Sequence, residues 1–393
     1  MAWRGLIVPP HLRVGGGGEE RHATWLELFY DLVFVAAVSQ VARRLEVRVS
    51  PTAALSYAVL FIPVWWTWVG AVFYENRFGS DDLIERLLTF LQIAVATALA
   101  VTVGTVYSRD GGIGFPLAYA AIRLILVAEY VRARHYALDA RPVTTRYALG
   151  FGIAAAFWGA SVLLEPPGRY VLWGLGLVVD FATPLTAGQL HARFAPHGTH
   201  LPERFGQFNL IVLGAAITAV VTALGEFRWN LPGAVTAILS LLLAFGFWWL
   251  YFDTLDASVI EAAREQGRIG PYQVWLYAHL PLAAGIAAAG VGAEYAIRSA
   301  MEPTMHVGER WLLCASVATV YVALAAINFA RAATGCANCT YARALHCVFG
   351  ASAAIVVALI GGYLVPAAIV GLLSAVALLQ VTAVIRTSVH APT

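Results

Sequence analysis

Residues 22–40 read "HATWLELFYDLVFVAAVSQ", and how they are read decides the fold. From Leu28 onward the stretch is almost wholly apolar, as expected of a helix crossing hydrocarbon. Yet it carries Glu27 and Asp31, one helical turn apart on one face. Thr24 and Glu27 have the T-x-x-E spacing of a capping box, in which Glu27 reaches back to the Thr24 N–H. That role accounts for Glu27 near the membrane interface. No cap accounts for Asp31, which lies one turn deeper.

The rest of the chain agrees with a membrane helix. Of 393 residues, 60% are hydrophobic and only 12% charged, against about 25% charged in a soluble domain; mean hydropathy is +0.72. Apolar runs of roughly 18 residues or more recur along the chain, each able to span a hydrocarbon core of about 30 Å. The expected fold is all-α, a polytopic transmembrane bundle. About twelve helices are predicted, near 24–42, 52–74, 86–106, 114–132, 147–164, 169–187, 203–224, 231–252, 271–295, 310–331, 341–361 and 363–385. "GGY" (361–363) reads as a tight turn or a kink. Residues 1–23, with "GGGGEE" at 15–20, read as a flexible tail without a cleavable signal peptide.

Twelve crossings put both termini on one side. That side holds twice as many arginines as the other, so the positive-inside rule assigns both termini to the cytoplasm. All 25 basic residues are arginine, which reads as genomic composition rather than function. An internal repeat is also expected. "HATWLELFYDLVFVAAV" (22–38) lies without gaps on "HLPERFGQFNLIVLGAA" (200–216), and "VWWTW" (64–68) matches "FWWLY" (247–251). Two six-helix copies, 24–190 and 200–386, would be parallel repeats.

Charged groups at a helix centre cost about 2.5–3.5 kcal/mol each, face protein or water, and often mark function. At about 1.5 Å per residue, Asp31, Gln92, Arg123, Asp180, Asn209 and His279 all fall roughly 9–13 Å below the cytoplasmic helix ends. They form a candidate polar layer that binds an ion, proton or substrate. Arg123 is the expected partner of Asp31. Asp31 and Asp180 against Arg123 leave a surplus negative charge, open to a proton or a cation. The competing reading is a buried ionic cluster that only pins helices.

Other groups have plainer readings. His279 is a proton carrier or a core histidine bonded to a backbone carbonyl. Glu129 is expected to make a surface ion pair with Arg132 or Arg134, and Glu294 to snorkel or cap at the far interface. Small residues at 283–293 indicate close helix packing. His191, His197 and His200 read as solvated loop residues. "CANC" (336–339) is a lone C-x-x-C, with His346 and Cys347 beyond it, and is too little for a metal site. Four cysteines make no disulfide framework. No metal, cofactor, catalytic residue or nucleic-acid partner is expected, and the sequence does not set an oligomeric state.

The residues now quoted carry a resemblance. "RHATWLELFYDLVFVAAVSQVA" (21–42), "WWTWVGAVFYENRFGSDDLIERLLTFLQIAVATALA" (65–100), "LPERFGQFNLIVLGAAI" (201–217), "FWWLYFD" (247–253) and "YAHLPLAAGIAAAGVGAE" (277–294) resemble, in order, the bacterial low temperature requirement protein A family. The resemblance implies a polytopic bacterial membrane protein and no defined biochemistry. The family usually has an acidic residue after "IVLG"; here Ala215 stands there. A short stretch, Phe29 to Phe34, is similar to the F-S-D signature of a class of potassium channels, with Tyr30 in place of serine.

The function expected is a transporter or channel for a cation, proton or small solute in the bacterial inner membrane. The alternatives are a structural or sensory membrane protein linked to stress adaptation, and a membrane-embedded lipid enzyme. Against the enzyme, "SDD" (80–82) is the only acidic pair in a loop at the membrane surface.

Overall fold

The structure is a computed structural model. It describes the chain apart from residues 1–6, 14–22, 48, 109–111, 189, 191–193, 195–197, 227–229, 336–340 and 390–393. The "GGGGEE" tail, His191, His197, Cys336 and Cys339 therefore lie outside the described residues.

Among the described residues there are thirteen α-helices and no strand. The helices are α1 (Trp25–Val47), α2 (Pro51–Phe78), α3 (Leu83–Thr102), α4 (Gly114–Tyr136), α5 (Arg141–Ala160), α6 (Gly168–Leu185), α7 (His200–Glu226), α8 (Leu231–Phe252), α9 (Ser258–Gln266), α10 (Ile269–Arg298), α11 (Val307–Ala332), α12 (Tyr341–Ile360) and α13 (Pro366–Val389). All twelve expected segments are helical, and the short α9 is an addition. Eleven of the described helices are long and apolar enough to cross a membrane. α6 has 18 residues, but Arg169 and Asp180 dilute its apolar content. The "GGY" segment is a 3₁₀ turn that separates α12 from α13.

Helix starts follow local chemistry. The Glu27 carboxylate accepts the Thr24 N–H at 2.7 Å and the Thr24 hydroxyl accepts the Glu27 N–H at 3.2 Å, which completes the capping box of α1. Asp82 caps α3 through the Glu85 N–H at 3.1 Å. Asn230 caps α8 through the Gly233 N–H at 2.7 Å.

The chain forms two compact units. The first comprises residues 1–41, 59–204 and 260–269; the second comprises 42–58, 205–259 and 270–393. In the first unit, α3, α4, α5 and α6 pack as successive neighbours. An aromatic core of Tyr74, Phe78, Tyr130, Tyr147 and Phe151 joins α2, α4 and α5. Tyr130 stacks on Tyr147 with ring centroids 5.2 Å apart.

The second unit is built on close approach. α11, α12 and α13 pack in succession, and α8 lies against α13. A Cβ placed on Gly290 of α10 would meet the Ala216 Cα of α7 at 2.7 Å. One on Gly292 would meet the Leu313 Cα of α11 at 2.7 Å. The small residues at 283–293 thus let backbones touch, the way helices associate when lipid removes any hydrophobic drive between them.

Candidate functional site

The polar face of α1 leads into the first unit, where Arg204 stands at the centre of a buried cluster. Its guanidinium grips Asp31 with two bonds, Nη2 to Oδ1 at 2.7 Å and Nε to Oδ2 at 3.2 Å. Its Nη1 donates to Glu75 Oε2 at 2.8 Å and lies 3.3 Å from Glu27 Oε1. The Trp68 indole N–H donates to Asp31 Oδ1 at 2.7 Å. Asp31, Arg204, His200 and Asn76 are fully buried, and Glu27 and Glu75 nearly so.

His200 connects Glu27 to α2. Its Nε2 is 3.3 Å from Glu27 Oε2, and its Nδ1 is 2.9 Å from Asn76 Nδ2. An amide nitrogen only donates, so Nδ1 accepts and Nε2 carries the proton toward Glu27. In that tautomer the imidazole is neutral. Among the described residues, the carboxylates of Glu27, Asp31 and Glu75 thus gather on the Arg204 guanidinium. Burying carboxylates and a guanidinium carries a desolvation cost, which the hydrogen bonds from Arg204, Trp68, His200 and the Thr24 N–H offset.

The structure places the residues singled out in the sequence as follows. Asp31 pairs with Arg204, not with Arg123, which corrects the expected partner. The reason is where α7 starts: its first turn, from His200, is helical and buried. Arg123 instead pairs with Asp180 at 3.2 Å. Tyr119 completes that triad, taking an Arg123 Nη2–H bond at 2.7 Å and donating its hydroxyl to Asp180 at 2.5 Å. Arg123 Nη1 and Asp180 Oδ1 are buried without a hydrogen-bond partner among the described residues. Gln92 donates to Glu129 Oε2 at 2.8 Å. Glu129 is buried on α4, while Arg132 pairs with Asp82 at 2.6 Å and Arg134 bonds to the Thr145 hydroxyl, so the expected surface pair of Glu129 does not form.

Asn209 and His279 belong to the second unit. Asn209 Nδ2 donates to the Phe205 carbonyl at 3.0 Å. His279 Nδ1 lies 2.7 Å from the Trp275 carbonyl and Nε2 lies 3.1 Å from the Tyr251 hydroxyl. A carbonyl only accepts, so Nδ1 carries the proton and Nε2 accepts from Tyr251. Glu294 is buried and pairs with Arg298 one turn away.

Sequence reasoning misses four members of the Arg204 cluster as site residues: Glu75, Asn76, His200 and Arg204 itself. It places His200 in solvent, whereas the side chain is fully buried. The available signal was a carboxylate, Asp31, with no local partner, together with the alignment of 22–38 on 200–216.

A helical chain with eleven apolar spans and a buried ionic core is a multi-pass integral membrane protein. The description "Bacterial low temperature requirement A protein (LtrA)" matches residues 22–389, and the chain belongs to that family. It is also 27% identical over 296 residues to the uncharacterized protein RA0937 of Rhizobium meliloti (strain 1021), covering 71% of this chain and 70% of that one. No solved structure matches.

Proposed function

We infer that the protein is a transporter or channel for a proton or small cation, and that the Arg204 cluster holds the moving charge. The observation that carries this reading is the gathering of Glu27, Asp31 and Glu75 on Arg204 in a buried site. Carboxylates clustered inside a membrane bundle are the groups that take up and release a positive charge in ion pathways and proton relays. Glu75 also lies within Coulombic range of Glu85 and Glu129, which extends the acidic region from α2 to α3 and α4. A parallel repeat, as the alignment of 22–38 on 200–216 suggests, would fit a transporter architecture. The arginine excess supports cytoplasmic termini, with the protein in the bacterial inner membrane.

The Arg123–Asp180 pair favours the structural reading for itself. One positive and one negative group balance there, and Tyr119 bonds to both.

The test is flux into proteoliposomes, read by an internal pH dye and by cation-selective dyes. Wild type is compared with Asp31→Asn, Glu75→Gln and Asp180→Asn, each first shown to be folded. Flux abolished by the first two and retained by the third supports the reading. Absence of flux in the wild type under proton, sodium and potassium gradients overturns it.

A further inference from the structure

Arg134, Arg141 and Arg146 differ from most arginines near the helix ends. Arg86 pairs with Asp81, Arg132 with Asp82, Arg331 with Asp256 and Arg343 with Asp253. Among the described residues, Arg134, Arg141 and Arg146 make no ion pair and bond only to neutral groups. Arg134 donates to the Thr145 hydroxyl at 2.8 Å, and Arg141 reaches the Arg134 carbonyl at 3.4 Å. Arg146 donates to the Thr183 carbonyl at 3.1 Å and to the Thr186 hydroxyl.

Two of these arginines line an open groove of about 700 Å³ between the start of α5 and the end of α6. That is within the usual size range of ligand sites, about 300–1,000 Å³. Its outer end is polar, with Arg141, Thr145, Arg146 and Thr186. One turn further along the helices its walls become apolar, at Leu149 and Val179. Among the described residues, no acidic side chain lines it. The floor is tight, because a Cβ on Gly150 would meet the Thr183 hydroxyl oxygen at 2.0 Å.

We propose that this α5–α6 groove is a binding site for an anionic phospholipid, with the phosphate headgroup on Arg141 and Arg146 and an acyl chain along Leu149 and Val179. The chemistry is that of basic pockets between membrane helices, which hold anionic headgroups. Uncompensated guanidinium groups supply charge and fork geometry for a phosphate. The apolar inner half gives a free phosphate ion nothing to bind, and it matches a lipid tail lying along the helices. The site is separate from the Arg204 cluster and stands or falls without it.

The experiment uses the full chain, purified in neutral detergent. Thermal unfolding and native mass spectrometry are run with phosphatidylglycerol, with phosphatidylcholine and with inorganic phosphate alone. Phosphatidylglycerol is expected to be retained and to raise the unfolding midpoint, and the other two to do neither. Arg141→Gln is expected to weaken retention about fivefold, as each surface arginine contributes to anionic-lipid attraction. Arg146→Gln removes α5–α6 bonds as well, so Arg141→Gln is the decisive variant, and Arg86→Gln serves as a control that leaves retention unchanged. Equal retention of both lipids, equal stabilisation by inorganic phosphate, or wild-type retention in Arg141→Gln overturns the proposal.

Discussion

Two buried arginines in the first unit are served in opposite ways. Arg123 meets one carboxylate, Asp180, and a tyrosine that bonds to both. Arg204 meets three carboxylates. Both are fully buried, so burial does not distinguish them; the number of carboxylates each one meets does. A balanced pair is strongest as it stands, and any change in protonation weakens it. A cluster of several carboxylates on one arginine offers more than one place for a proton or a cation, which is the property the proposed function uses.

The contrast can be broken most directly by removing each arginine. Arg204→Gln takes the guanidinium from three buried carboxylates and is expected to lower stability by about 3–5 kcal/mol. Arg123→Gln strands one, which keeps the Tyr119 hydroxyl as donor, and is expected to fall at or below the lower end of that range. Thermal unfolding in one detergent compares the two. A larger loss for Arg123→Gln than for Arg204→Gln would remove the distinction.

Removing a carboxylate sharpens the same point. Asp180→Asn leaves Arg123 buried without its counter-charge and is expected to cost about 3 kcal/mol. Glu75→Gln leaves Arg204 with Asp31 and Glu27, keeps a carbonyl acceptor for it, and is expected to cost less than about 1 kcal/mol. Unfolding midpoints of the two variants should therefore separate clearly, and equal losses would argue that Arg204 depends on Glu75 as much as Arg123 depends on Asp180.

The second unit supplies a different comparison, between charge and shape. Its α10 has Gly290 and Gly292 where the backbones of α7 and α11 come within 2.7 Å of a would-be Cβ. Gly290→Ala is expected to cost about 1–3 kcal/mol, since backbone rather than a flexible side chain must yield. Its check is a lowered unfolding midpoint with the pH dependence of the wild type, because no ionisable group is touched.

These contrasts also show which parts of the molecule are legible in the sequence. Helices are, because runs such as 231–252 leave no other way to satisfy the backbone in lipid. The Thr24–Glu27 cap and the small residues of α10 are legible too, since both are local spacings. Asp31 stands out as unexplained, but its partner does not. Arg204 lies 173 residues away and precedes the apolar run of α7, so it counts as a loop charge. The same rule misplaces His200 and passes over Glu75, because a membrane boundary drawn at the first polar residue assumes that polar residues face water. A charge with a buried counter-charge escapes that rule, and α2 continues through Glu75 to Phe78. Which arginine meets which carboxylate is a property of packing that hydropathy does not contain.

A third arginine, Arg132, gives the smallest and most easily titrated form of the comparison. It is balanced one to one, by Asp82, but stands at the end of the bundle and is partly exposed. Burial of the Asp82 carboxyl opposes its ionisation, yet the bonds from Arg132, the Glu85 N–H and the Ser80 hydroxyl outweigh this and hold it below the usual carboxylate range. Its folded value is therefore lower than its unfolded value of about 3.9. The resulting stability is present above about pH 4 and is lost as pH falls through the lower folded value. Asp256, held by Arg331 and Ser258, shifts in the same direction and adds to the same acid limb. Arg132→Gln is expected to remove about 1 kcal/mol at neutral pH and to make the acid limb shallower, with the Asp256 share intact. Unfolding midpoints measured from pH 7 down to pH 3 decide it (an acid limb as steep as that of the wild type would mean that Asp82 owes its ionisation to the helix cap rather than to the arginine).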